Sequence, residues 1–167
     1  MPSLFDTLHK NEPNPLDNIE DVLHANDWEF DRVGNNELYV NVSGRFCSYS
    51  IIFLWQADMK ALQTSIHYDF TIKPTNMSKA AEMLLTINAR TWMGHFEISE
   101  ETKVPNYRYT SIFHSAFKSA YDDLENIIDI GLAQCETNYA ALFLLTEENA
   151  ISAETLPLAL MKTEGVS

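Results

Sequence analysis

The chain has 167 residues, 46% of them hydrophobic and only 5 of them glycine, which is the profile of one packed domain and excludes a disordered or fibrous chain. Its 24 acidic against 11 basic residues leave a net charge of −13. Lys and Arg nowhere cluster as a phosphate backbone or an anionic bilayer requires, so nucleic acid and membrane surfaces are disfavoured while a basic partner is favoured.

Residues 1–13 are poorly patterned and are expected to be a flexible lead-in. MPSLFDTLHKNEP has no apolar core of the kind a signal peptide carries, and nowhere does the chain hold the roughly 18 consecutive apolar residues of a membrane span. With two cysteines, Cys47 and Cys135, far apart among apolar or strand-forming neighbours, the expectation is a cytoplasmic protein with buried free thiols. A single domain is expected over residues 14–147, followed by a tail, 148–167, in which Ser152 to Met161 can form a short helix despite Pro157.

Asn14 followed by Pro15 reads as a helix cap and first helical position, and Leu16, Ile19, Val22 and Leu23 then share one face up to about Asn26. Trp28, Phe30 and Arg32 alternate as a short strand. Gly34-Asn35-Asn36 turns into a second strand, Glu37 to Val42, which makes a hairpin. After Ser43-Gly44, residues Arg45 to Trp55 form a third strand whose half from Ile51 is apolar on both faces and is expected to be covered on both.

The fourth strand, residues 60–72, points Leu62, Ile66, Tyr68, Phe70 and Ile72 one way and Gln63, Ser65, His67, Asp69 and Thr71 the other. Residues 28–72 are therefore a four-stranded antiparallel meander. From about Met77 to Trp92 the apolar period changes to that of a helix, with Ala80, Met83, Leu84, Ile87 and Thr91 on one face. Gly94 closes it, His95 to Ser99 is a fifth strand and Pro105 to His114 a sixth. A long helix follows from about Tyr121 to Leu145, its apolar face carrying Leu124, Ile127, Ile128, Cys135, Tyr139 and Leu142. The fold class is thus α+β, in the order α-β-β-β-β-α-β-β-α.

Few residues suggest chemistry. His67 with Asp69, and His95 with Glu97, stand two apart on strands and so share a face, where they form a ligand group for a transition metal if the strands are close. Polar faces of half-exposed sheets carry such residues by default, so no resident metal or cofactor is expected. His9, His24 and His114 show no triad spacing, and no nucleophile elbow, phosphate loop or dinucleotide fingerprint is present. An enzyme is not expected. Trp28, Trp55 and Trp92 lie near element ends, as partner anchors or as core aromatics with a bonded indole N–H.

Several segments carry a family resemblance: Asn14-Pro15-Leu16-Asp17, Trp28-Glu29-Phe30-Asp31-Arg32, Gly44-Arg45-Phe46-Cys47-Ser48-Tyr49, Phe53-Leu54-Trp55 and Trp92-Met93-Gly94-His95-Phe96. Through them the chain resembles the YbjN-domain family of bacterial sensory transduction regulators, in order from about residue 14 to 147. The resemblance implies a fold similar to type III secretion chaperones, with helices packed on one face of an antiparallel sheet, frequent homodimers and recognition of another polypeptide. The chain departs from the family pattern at Phe46, where Trp is expected, at Ala89, where an acid is, and at Tyr139-Ala140-Ala141-Leu142, where Tyr-Pro-Ala-Phe is.

The leading expectation is a non-enzymatic regulatory or chaperone-like protein that binds a polypeptide at a sheet edge or in a helix–sheet groove, with Trp55, Trp92, Phe96, Arg32 and Arg108 as contact residues. The alternative is a small-molecule or metal-responsive sensor, with His67, Asp69 and His95 as ligands and Arg32 and Arg108 for an anion.

Overall fold

The structure, a computed structural model, describes residues 13–113 and 120–147. The lead-in before Pro13, His9, His114 and the tail helix expected over Ser152 to Met161 lie outside the described residues. Three helices, α1 (Pro15–Ala25), α2 (Met77–Arg90) and α3 (Ala120–Phe143), accompany six strands: β1 (Phe30–Val33), β2 (Glu37–Ser43), β3 (Ser48–Gln56), β4 (Ala61–Tyr68), β5 (His95–Ile98) and β6 (Pro105–Ile112). The strands form one sheet in the order β1-β2-β3-β4-β6-β5, and every pairing is antiparallel. The α+β class and the expected element order hold.

The meander accounts for four neighbouring strands. β6 then inserts between β4 and β5, so the chain passes through α2 to the sheet's far edge before returning inward. Register fixes the two faces. Leu38, Val40 and Val42 pair with Phe53, Ile51 and Tyr49, and Leu62 and Ile66 follow on β4 and Phe96 and Tyr107 on β5 and β6, all of them buried. On this face the core closes with Leu16, Ile19, Val22 and Leu23 of α1, Ala80, Met83 and Ile87 of α2, and Leu124, Ile128, Cys135 and Leu142 of α3.

The opposite face is open and mixed. One row across it reads Asp31, Tyr39, Ile52, Ser65, Arg108 and His95, and the next Asn41, Ser50, His67, Asn106 and Glu97. The double coverage expected for Ile51 to Trp55 is therefore not found: Ile52 and Leu54 are only half-buried, shielded by cross-strand neighbours on the open face.

The fourth strand is also shorter than its alternation suggests. It ends at Tyr68, where Asp69 turns aside and its Oδ2 accepts the Ser48 N–H at 3.1 Å. Ile72 nonetheless packs in the core, and its N–H donates to the Lys103 carbonyl at 2.8 Å.

Local chemistry sets the helices. Asn14 caps α1, its Oδ1 accepting the Leu16 N–H at 3.0 Å while its Nδ2 donates to the Asn35 carbonyl in the first hairpin at 2.6 Å. Gly131 lets α3 lie against the sheet, since a Cβ there would stand 2.6 Å from Ile66 Cδ1. At the helix-to-strand turn after α2, Gly94 has φ +69°, a left-handed conformation that favours glycine, and Tyr107 donates its hydroxyl to the Met93 carbonyl at 2.7 Å.

Candidate binding cleft

The residues singled out in the sequence do not converge. Trp55 and Phe96 are core residues, 9% and 2% exposed, and Trp55 meets the Phe113 ring edge-on. Trp92 is 99% exposed, so the core reading fails for it. Arg32 is taken by Asp17 and Glu20 at 2.7 Å each, which ties β1 to α1.

On the open face Arg108 Nη2 lies 2.9 Å from Glu97 Oε2, and His95 Nε2 lies 3.4 Å from the same oxygen. A guanidinium thus occupies the place beside Glu97 that a metal would need. His67 and His95 are separated by β6, and Asp69 faces the start of β3. Among the described residues no group of three or more His, Cys, Asp and Glu side chains is arranged to hold a metal ion. Burial pushes the His67 imidazole below its usual value, an effect the Glu97 charge partly offsets.

What the fold does assemble is a cleft of about 580 Å³ between the β2–β3 turn and the second half of α3, its lining mostly apolar. Trp28, Val42 and Phe46 form one wall and Leu132, Tyr139 and Ala140 the other. The aromatic wall continues beyond it. Phe46 stacks on Tyr139 at 5.1 Å between centroids, Tyr139 stacks on Phe143 at 5.3 Å, and Phe70 meets both rings edge-on. Phe46 is 51% exposed with Arg45 over its ring at 5.2 Å, and Phe143 is exposed at the other end of the row, while Tyr139 and Phe70 between them are half-buried against the core.

A polar floor underlies the cleft. Glu136 Oε1 accepts the Arg45 N–H at 2.9 Å, and the Tyr49 hydroxyl is buried beside the Glu136 carboxylate and Cys47. Gly44 permits this crowding, because a Cβ there would collide with the Tyr49 ring and the Glu136 carboxylate. Burial, followed by the neighbouring Cys47 and Glu136, raises the Tyr49 phenol far above its ordinary value. Burial likewise raises the Cys47 thiol, so neither group is activated as a nucleophile. Cys47 and Cys135 are both free thiols; Cys135 is buried and Cys47 half-buried.

Sequence reasoning missed Glu136, Leu132 and Thr137 as site residues. The available signal was local: Phe46 is a large aromatic in a turn, and Tyr139 and Phe143 stand one helical turn apart.

The described residues form a single antiparallel sheet backed by three α-helices on one face, with a mostly apolar cleft where the longest helix meets the sheet's second hairpin. Residues 15–144 match the family described as "Putative bacterial sensory transduction regulator", YbjN, and the chain belongs to that family. Among solved structures it is similar to the crystal structure of YbjN, a putative transcription regulator from E. coli, with a TM-score of 0.52 and 11% identity over 71% of this chain and 84% of that one. At that identity the likeness concerns the fold. Comparison with curated protein sequences gives no match. No helix among the described residues is long and apolar enough to cross a membrane.

Proposed function

We propose that this YbjN-family chain is a non-enzymatic, cytoplasmic regulatory or chaperone-like protein that holds a segment of another polypeptide in the helix–sheet cleft. The observation that carries the reading is the cleft itself: about 580 Å³, mostly apolar, with the exposed Phe46 ring at its rim and the half-buried Trp28 and Tyr139 in its lining. Exposed aromatic surface of this kind is where partners anchor. Two free thiols suit a reducing compartment. Leu85 on α2 and Trp92 in the turn after it, 75% and 99% exposed, supply surface for the homodimer that the reading includes, and a monomeric mass by light scattering would remove that part of it.

The deciding experiment is affinity capture from native cell extract across a salt series, with the wild-type chain beside Ala140→Trp, which fills the cleft from its rim. A stoichiometric protein retained by the wild type and lost by an equally stable variant supports the reading. Equal retention by both sinks it.

A small-molecule sensor is the second reading, favoured by a cleft volume within the range of about 300–1,000 Å³ seen for ligand pockets. A compound that raises the melting temperature of the wild type but not of Ala140→Trp would select it. The metal-responsive form of that reading has less support, with Arg108 already on Glu97.

A further inference from the structure

β1 runs alongside β2 only as far as the pair Phe30 and Val40. β2 continues through Asn41, Val42 and Ser43, paired on its other side with Ser50, Tyr49 and Ser48. No described strand lies beside that last stretch, because the chain before Phe30 turns away at Trp28, whose N–H is bound to the Leu23 carbonyl at 2.9 Å. At the far edge of the sheet the situation differs: Asn88 of α2 both donates to the Phe96 carbonyl at 3.0 Å and accepts the Phe96 N–H at 2.7 Å, so a side chain closes β5 where a strand would add.

Two cavities flank the open stretch, one on each side of the sheet edge. The apolar cleft touches Val42 and Ser43. A second groove, about 700 Å³ and mainly polar, touches Tyr39 and Asn41 and is lined by three exposed carboxylate side chains, Asp27, Glu29 and Asp31. Trp28 borders both. Successive side chains of a strand point to opposite faces, so a strand placed here would send alternate residues into an apolar slot and an acidic one.

We infer that the polypeptide partner binds as an added strand beside Asn41–Ser43, in line with β1, with an apolar side chain in the cleft and an adjacent Lys or Arg in the acidic groove. The inference rests on the polypeptide-binding reading and gives that partner its chemistry: an extended segment of alternating apolar and basic residues. The chain's net charge of −13 assists its approach, and its affinity falls with salt.

The test uses four labelled synthetic heptapeptides on the full chain, read by fluorescence anisotropy. One alternates Lys with Phe, one alternates Glu with Phe, one has the Lys/Phe composition in blocks, and one is the alternating Lys/Phe peptide N-methylated on alternate amides. The first should bind, and each of the other three should bind at least about tenfold more weakly, the scale of one lost charge-assisted contact or strand pairing. Glu29→Gln with Asp31→Asn should remove the preference for Lys over Glu without altering thermal stability.

Equal binding of the blocked or N-methylated peptide overturns the added strand, and equal binding of the Glu peptide overturns the basic partner. If a synthetic peptide of residues 148–167 binds as tightly as the Lys/Phe probe, the edge belongs to the chain's own tail. If the probe dissolves a dimer in light scattering, it belongs to a second copy. Either result overturns a separate partner. A client captured through the cleft, with no probe binding, would retain the polypeptide reading and discard this strand; absence of both would discard both.

Discussion

Three aromatic residues expected to behave alike are separated by burial. Trp55 and Phe96 fill the core, so alanine at either removes a buried ring and should cost about 3–5 kcal/mol in urea unfolding. Trp92→Ala should leave the urea midpoint unchanged, because its ring contributes almost nothing to the folded interior. His67 gives a pH-dependent counterpart. With its pKa lowered from 6.5 chiefly by burial, its folded form takes up a proton less readily than the unfolded chain. Its contribution is thus neutral above that value and destabilising as pH falls through 6.5 toward the folded pKa. His67→Gln should therefore flatten part of the loss of stability as pH falls below 6.5, read as the urea midpoint at each pH.

At the scale of elements, the periodicities were legible because each one reports a buried face. Leu16, Ile19, Val22 and Leu23 mark α1 and Ala80, Met83 and Ile87 mark α2, and all seven are buried. Element ends were less so, since they depend on partners distant in the chain: β4 stops where Asp69 reaches Ser48, although the sequence keeps alternating. The α1 start is the local exception, with its cap visible as Asn14-Pro15. Asn14→Ala should cost about 1–2 kcal/mol, the value of a lost cap, and its second bond to Asn35 places it toward the upper end. Chemical denaturation of the variant, set beside Asn14→Ser, which restores the cap alone, separates the two contributions.

Over the whole molecule, the cleft was illegible because residues 28, 42–46 and 132–140 meet only in the folded chain. The same holds for the ends of the two longer helices. Asn76, just before α2, is buried and donates through Nδ2 to the carbonyls of Leu145 and Glu147, at 2.9 and 2.8 Å, joining the beginning of one helix to the end of the other. Asn76→Ala should cost about 2–3 kcal/mol and release the C-terminal end of α3 first, seen as faster amide exchange at Leu145 and Glu147 before global unfolding. Strand order matters during synthesis too. Because β6 lies between β4 and β5, the meander finished at Tyr68 leaves the ribosome with one side of β4 unpaired until Pro105 to Ile112 follows. At about 5–20 residues per second that interval lasts a few seconds, during which a strand with Leu62 and Ile66 among its residues offers its backbone to any neighbouring nascent chain.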